Sequence, residues 1–146
     1  EQLHEDYLIV QVSGEHYALP GMAIREVARW RLPTPVPGAP AVLPGIISQR
    51  GVVLPTVNLG QLLGLATETP GRSARFVIVH QGTIDLALMV DSALDLFRLT
   101  RDDMEVPPVG LDPQRARLLR AIARYEGLPL LVLDLEALID TLQESS

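Results

Sequence analysis

The stretch LPGIISQRGVVLPTVNL, residues 43–59, predicts two short β-strands joined by a tight turn. The apolar runs at residues 46–47 and 52–54 are rich in Ile and Val, which is typical of strands. Gly51 supplies the backbone freedom that a tight reversal needs. Arg50 is therefore placed at the turn, where its guanidinium either binds a carboxylate or a partner's carbonyl groups, or only faces solvent.

Two pairs of segments repeat along the chain. YLIVQVSGEHYAL (7–19) resembles FVIVHQGTIDLAL (76–88), and their glycines lie 68 residues apart. GVVLPTVNLGQLL (51–63) resembles GLPLLVLDLEALI (127–139) at an offset of 76. The repeats predict a mainly β protein of two similar halves with about five short strands each, a pattern typical of paired small barrels.

The repeats also predict how the chain is divided. We expect one domain over residues 1–146, with one subdomain at about 14–74, another at about 76–134, and terminal strands that can cross between them. TETPGRS, residues 67–73, is the predicted linker between the halves. Residues 32–44 contain five prolines and are expected to form an extended surface loop.

Helical signals are short. Residues 60–65 and 135–142 are predicted to form one or two turns each, and the second has leucines and an isoleucine at helical spacing. Asp112 followed by Pro113 predicts a capped helix start, with the helix running through Leu119.

Composition excludes several classes of function. The 146 residues carry a net charge of −6 and only six aromatic residues, which argues against a nucleic-acid-binding surface. The chain has no cysteine, so disulfides, thiolate metal sites and cysteine nucleophiles are absent. The N-terminal residues lack signal-peptide features and no apolar run is long enough to span a bilayer, which predicts a cytosolic protein. The first residue is Glu1, which suggests a piece of a longer protein.

Candidate catalytic groups are few. His4, His16 and His80 are far apart and show no metal-ligand spacing. Asp91 and Asp95 precede further acidic residues and arginines, a pattern more typical of a solvated rim than of a catalytic cleft. We therefore predict no catalytic residue, no metal site and no cofactor.

Arginines and the single tryptophan have alternative interpretations. A phosphate-binding strip could be formed by Arg115, Arg117, Arg120 and Arg124. The last three, at helical spacing, equally predict an exposed helix face. Trp30, flanked by arginines, is either a half-buried barrel cap or an interface anchor.

The order of five segments resembles the CheW-like domain, the adaptor of bacterial chemotaxis arrays. They are the strand-turn-strand opening, IREV at 24–27, the hairpin at 45–59, LMVDSALDLFRL at 88–99 and LPLLVLDLEALI at 128–139. The resemblance implies two five-stranded SH3-like β-barrels related by a pseudo-twofold axis, with short helices and a hydrophobic groove between the barrels. It also implies a non-catalytic adaptor that binds the cytoplasmic tip of chemoreceptors and the regulatory domain of a CheA-type histidine kinase, located peripherally at receptor arrays.

The resemblance also implies site residues. The receptor- or partner-binding positions correspond to Ile24, Glu26, Gly45, Arg50 and Gly51, and a possible kinase-contact loop corresponds to Trp30, Leu32 and Val36. Ile24 is expected to enter an apolar groove that accepts a receptor helix. Gly45 is expected to let that helix approach closely, so that Gly45→Asp would abolish docking and keep the fold. Arg50 is expected either to brace the groove through Glu26 or to reach the receptor directly.

Some positions differ from the family pattern. Ser48-Gln49 stands where Asn-Leu is usual before Arg-Gly, Asn58 stands where Asp is usual, and Ala87 where Gly is frequent. These differences suggest a divergent pathway, either surface motility or a dedicated second array. The alternatives to a stand-alone adaptor are a CheW-like domain of a larger kinase or receiver-fused protein, and a small-barrel module that binds a ligand or nucleic acid.

Overall fold

Ten strands form two five-stranded sheets in a computed structural model that describes residues 4–67 and 69–145. Glu68, within the predicted linker, lies outside the described residues.

The first sheet has the order β8-β1-β2-β10-β9 and uses both ends of the chain; we call it the terminal barrel. The second has the order β3-β6-β7-β5-β4 and uses the middle of the chain; we call it the central barrel. The strands of the terminal barrel are β1 (His4–Val12), β2 (Glu15–Pro20), β8 (Ser92–Thr100), β9 (Leu119–Tyr125) and β10 (Leu128–Leu133). Those of the central barrel are β3 (Ile24–Arg29), β4 (Gly45–Gln49), β5 (Val52–Asn58), β6 (Arg75–Gln81) and β7 (Ile84–Val90).

The chain crosses between the barrels twice. It leaves the terminal barrel through a 3-10 turn at Gly21–Ala23 and returns to it at Asp91. Each barrel therefore combines a hairpin from one sequence half with three strands from the other half. The predicted division near residues 74–76 is wrong, because β6 and β7 pair with strands of the first half. β1 and β2 in turn pair with β8 and β10 of the second half.

Each sheet is closed into a barrel by a single bridge. The chain continues five residues beyond β3 to Thr34, which exchanges two backbone hydrogen bonds of 2.8 and 2.9 Å with Ile46 of β4. Five residues beyond β8, Glu105 makes the same exchange with Ile122 of β9 at 2.8 and 2.8 Å. The barrels thus share strand order and mode of closure, as a pseudo-twofold relation requires.

The first repeat has a different alignment from the predicted one. β1 and β2 are joined by Ser13-Gly14, both with positive φ, whereas β6 and β7 are joined by Gly82-Thr83, of which only the glycine has positive φ. A type I′ turn needs glycine most at its second position and a type II′ turn at its first. Equivalent strand residues of the two hairpins therefore lie 69 residues apart, whereas the turn glycines, Gly14 and Gly82, lie 68 residues apart.

Within residues 4–67 and 69–145 the fold also has three α-helices: α1 (Leu59–Leu62), α2 (Pro113–Arg117) and α3 (Leu135–Ser145). Asn58 Oδ1 accepts from Gln61 N at 3.0 Å, and Asp134 Oδ1 accepts from Ala137 N at 3.0 Å. These two N-caps lie 76 residues apart, which is the offset of the second pair of repeated segments. The repeat therefore extends from the strand into the start of the helix that follows it.

The predicted start of α2 is confirmed, because Asp112 caps it, but the helix ends at Arg117 and not at Leu119. Arg120 and Arg124 consequently lie on β9, and the interpretation of these arginines as a helix face is wrong.

Three apolar clusters stabilise the molecule. One lies inside the terminal barrel and includes Tyr7, Ile9 and Leu130. Another lies inside the central barrel and includes Phe76 and Ile78. The largest draws side chains from both barrels and from α3, so the barrels share one core.

Candidate functional site

The predicted site residues Glu26 and Arg50 meet across the seam between β3 and β4. Glu26 Oε1 and Oε2 each accept from Arg50 Nε at 3.2 Å, and Oε1 also accepts from Gln49 Nε2 at 3.0 Å. β3 and β4 are the two edge strands of the central sheet. These contacts therefore link the two edge strands of the central barrel, in addition to the Thr34–Ile46 bridge.

Arg31 extends the same network. Its Nη2 donates to Gln49 Oε1 at 2.9 Å and also to Ser48 O. We call Glu26, Arg31, Gln49 and Arg50 the β3–β4 latch. Glu26 and Arg50 were predicted from the sequence, whereas Arg31 and Gln49 were not. The departure from the family pattern at Ser48-Gln49 was the only signal for them.

Turn geometry fixes the direction of Arg50. Arg50 and Gly51 occupy the two central positions of a type I′ turn, with φ of 51° and 80°. The side chain of Arg50 is 79% exposed and that of Glu26 is 24% exposed. The predicted contact of Arg50 with Glu26 is confirmed, and most of the guanidinium surface faces solvent.

The latch makes the pKa of Glu26 dependent on Arg50. The hydrogen bond from Arg50 lowers the pKa of Glu26 from its ordinary value, with a further lowering by Gln49. Because this pKa is lower in the folded state than in the unfolded state, the latch stabilises the fold above the ordinary glutamate pKa. That contribution is lost as the pH falls through the lowered pKa.

We expect Arg50→Ala to raise the pKa of Glu26 toward its ordinary value, because the strongest donor is removed. The measurement is an NMR titration of the Glu26 side-chain carboxyl. Arg101→Ala, which removes an exposed arginine of the terminal barrel, is the control and should leave this pKa unchanged. An equal titration curve in wild type and Arg50→Ala would contradict the latch.

Gly45 packs against the loop that closes the central barrel. It is buried, and a Cβ built on it would lie 2.2 Å from Thr34 O and 3.1 Å from Pro33 Cβ. The space in front of its Cα is thus filled by the chain's own loop. The prediction that Gly45 leaves room for a partner helix is wrong on this face, because the glycine allows the barrel-closing segment to approach.

The expected groove between the barrels is largely filled. The shared cluster occupies the region between the two sheets with side chains of both barrels and of α3. Ile24 is partly buried against this cluster, at its margin. A cavity of about 300 Å³ lies at the junction, between Pro20, Gln81 and residues 133–136. The margin of the junction, where this cavity and Ile24 lie, is therefore a surface open to a partner.

The predicted kinase-contact residues lie at the end of the central barrel. Trp30 is half-buried and stacks on Phe76, with ring centroids 6.5 Å apart and planes inclined by 15°. This confirms the interpretation of Trp30 as a barrel cap. Leu32 is 80% exposed and Val36 is also exposed, as expected for residues of a surface loop.

The described residues show no arrangement suited to metal catalysis. Within residues 4–67 and 69–145, no three His, Asp or Glu side chains gather closely enough to hold a metal ion. His80 Nδ1 and Asp85 Oδ1 lie 2.5 Å apart as an exposed cross-strand pair. In the same part of the chain, none of the helices has the length and apolar character that crossing a membrane requires.

Comparisons with known proteins identify one family. The family model of the CheW-like domain matches residues 6–143. Chemotaxis protein CheW of Bacillus subtilis is 28% identical over 142 residues, which cover 97% of this chain and 90% of that protein. Protein FrzA of Myxococcus xanthus is 27% identical, with 81% of this chain and 74% of that protein covered.

A solved structure shows the same fold. The scaffolding protein TtCheW from Thermoanaerobacter tengcongensis superposes with a TM-score of 0.83 at 21% identity. The match covers 92% of this chain and 87% of that chain. The predicted resemblance and the predicted double-barrel fold class are both confirmed.

Proposed function

We propose that this chain, which belongs to the CheW-like domain family, is a non-catalytic scaffold that couples chemoreceptors to a CheA-type histidine kinase. The observation that carries the proposal is the family match over residues 6–143, which spans both barrels. Relatives of similar length are named chemotaxis proteins, and we extend that role to this chain.

The receptor side of the scaffold is assigned to the margin around Ile24 and the β3–β4 latch. A receptor tip is a helical hairpin, and an amphipathic helix docks through apolar anchors with polar groups at their edge. Ile24 offers an aliphatic side chain there, and Arg50, which contacts Glu26 of the same strand, offers free donors. Glu26 then orients Arg50, while Gly51 permits the turn that carries it.

The kinase side is assigned to the loop that follows β3. Leu32 and Val36 are exposed aliphatic residues next to the Trp30 cap, and exposed apolar groups of this kind anchor protein interfaces. The expected partner surface is the regulatory domain of the kinase. The scaffold would lie in the cytoplasm, peripheral to the membrane, at receptor arrays.

The test is retention of the kinase regulatory domain and of a receptor-tip fragment by the immobilised protein. We expect wild type to retain both at micromolar concentrations. Arg50→Ala should weaken receptor retention about fivefold with little change in melting temperature, because an exposed ion pair contributes little stability. Arg101→Ala is the matched control and should bind like wild type. Folded wild-type protein that retains neither partner would refute the coupling role.

The alternatives predict different results. A domain of a larger kinase or receiver-fused protein would bind the same partners but would be found covalently joined to the additional domains. A nucleic-acid module would shift a labelled oligonucleotide in a salt-dependent way, which the net charge of −6 argues against.

A further inference from the structure

A cavity of about 350 Å³ beside Trp30 gathers three arginines on the central barrel. Arg29 comes from β3, Arg75 begins β6, and Arg72 precedes β6. Trp30, Gly71 and Ala74 form the rest of the wall. The cavity lies on the β3–β6 side of the barrel, whereas the latch joins β3 to β4.

Two of these arginines oppose each other directly. Arg29 pairs with Arg75 in the antiparallel β3–β6 register, and like charges at opposed positions destabilise a sheet. Arg75 is held in place, because its Nη1 donates to Arg72 O at 2.9 Å and to Ala74 O at 2.8 Å.

The three guanidinium groups have no counter-charge within the described part of the chain. Ion pairs there join Arg50, Arg98, Arg115, Arg117 and Arg120 to carboxylates, and none involves Arg29, Arg72 or Arg75. A cluster of like charges without compensation is a local cost to stability, and such costs are concentrated at functional sites.

Trp30 adds a rigid wall with an unused donor. Its ring is fixed by stacking on Phe76, and its Nε1 is buried without a hydrogen-bond partner among the described residues.

Charge is unevenly distributed along the chain. Residues 16–75 contain six arginines and two acidic residues, whereas the rest of the chain contains six arginines and sixteen acidic residues. The arginine pocket therefore lies in a section of net positive charge within an acidic protein. Its local field attracts acidic groups that the protein as a whole repels.

We infer that the Arg29–Arg72–Arg75 pocket binds the carboxylate side chains of an acidic segment in a protein partner. Each guanidinium presents a planar fork that matches a carboxylate. The cavity is open to solvent and large enough for several side chains, which fits a peptide segment better than one small ion. This site goes beyond the proposed coupling function. The acidic ligand is inferred from the arginines of the pocket and does not depend on which receptor or kinase the scaffold binds.

The probe is fluorescein-labelled hexaglutamate, and binding to the full chain is measured by fluorescence anisotropy at low salt. Trp30 is the only tryptophan, so its emission gives an independent signal from the pocket itself. We expect Arg29→Gln and Arg72→Gln each to weaken binding about threefold or more. Arg25→Gln and Arg101→Gln, at exposed arginines outside the pocket, remove the same charge and should have little effect.

Several outcomes would overturn the inference. If the pocket variants and the controls lost affinity for the probe equally, the probe would be attracted by net charge alone. Unchanged affinity in both pocket variants would show that the pocket does not bind the probe. Displacement of the probe by inorganic phosphate at equal concentration would assign the pocket to a small anion.

Thermal melting separates binding from folding. Because Arg29→Gln removes one of two opposed like charges, we expect its melting temperature to equal or exceed that of wild type. A lowered melting temperature in both pocket variants would indicate that the arginines serve the fold, which would also overturn the inference.

Discussion

Replacing Gly45 by alanine is expected to reduce the free energy of unfolding by about 3 kcal/mol. The added Cβ would lie 2.2 Å from Thr34 O and 2.7 Å from Thr34 C, which are backbone atoms. Neither side can move easily, because Thr34 and Ile46 exchange two hydrogen bonds and the buried Thr56 Oγ1 donates to Gly45 O at 2.8 Å. The clash therefore opposes closure of the central barrel.

The measurement is urea unfolding followed by circular dichroism. Gly71→Ala is the matched control, because a Cβ there would meet nothing within 4 Å and its φ is not in the left-handed region. We expect this control to change stability by less than about 0.5 kcal/mol. A Gly45→Ala protein as stable as wild type would mean that the 33–34 segment is displaced in solution, and the docking role first predicted for this glycine would again be available.

Local sequence predicted the strands well because their signals are local. The turn glycines, the apolar runs and the two repeated segments each specify a hairpin without reference to the rest of the chain. The cap residues Asn58 and Asp134 likewise act within a few residues of their own helices. Elements of this kind are predictable from one sequence.

Partner strands were not predictable in the same way. β2 leads into β3 and β7 into β8 with no periodicity that shows which sheet the next strand joins. That choice depends on which edge strand is available in the folded molecule, which is a long-range property. The division at 74–76 failed for this reason.

The candidate site shows the same distinction. The chemistry of an arginine on a turn indicated a carboxylate as one possible partner, and the resemblance named Glu26 as one of two alternatives for Arg50. Arg31 and Gln49 were missed because their contact exists only when barrel closure brings β3 against β4 across a long loop. The close packing around Gly45 was not predicted because the residues opposite it lie ten or more positions away in sequence.

Cutting the chain between Gly71 and Arg72 is expected to leave two fragments that do not fold alone but reassemble when mixed. The first fragment would hold β1 to β5 and the second β6 to β10, so each barrel would be divided between them. In the first fragment β3 would lose β6, its sheet neighbour, and the β1–β2 hairpin would lose β8 and β10. Isolated hairpins are marginally stable, and the shared apolar cluster would be exposed in both fragments.

Thermal unfolding measured by circular dichroism gives the readout. Neither fragment should show a cooperative transition, and an equimolar mixture should recover one, because both barrels and their common core then form together. The control is the uncut chain with a short Gly/Ser insertion between Gly71 and Arg72, which should fold because lengthening a surface loop costs little. If each fragment melted cooperatively on its own, the barrels would be independent of the strand exchange. The sequence-based division would then describe the folding units better than the sheets do.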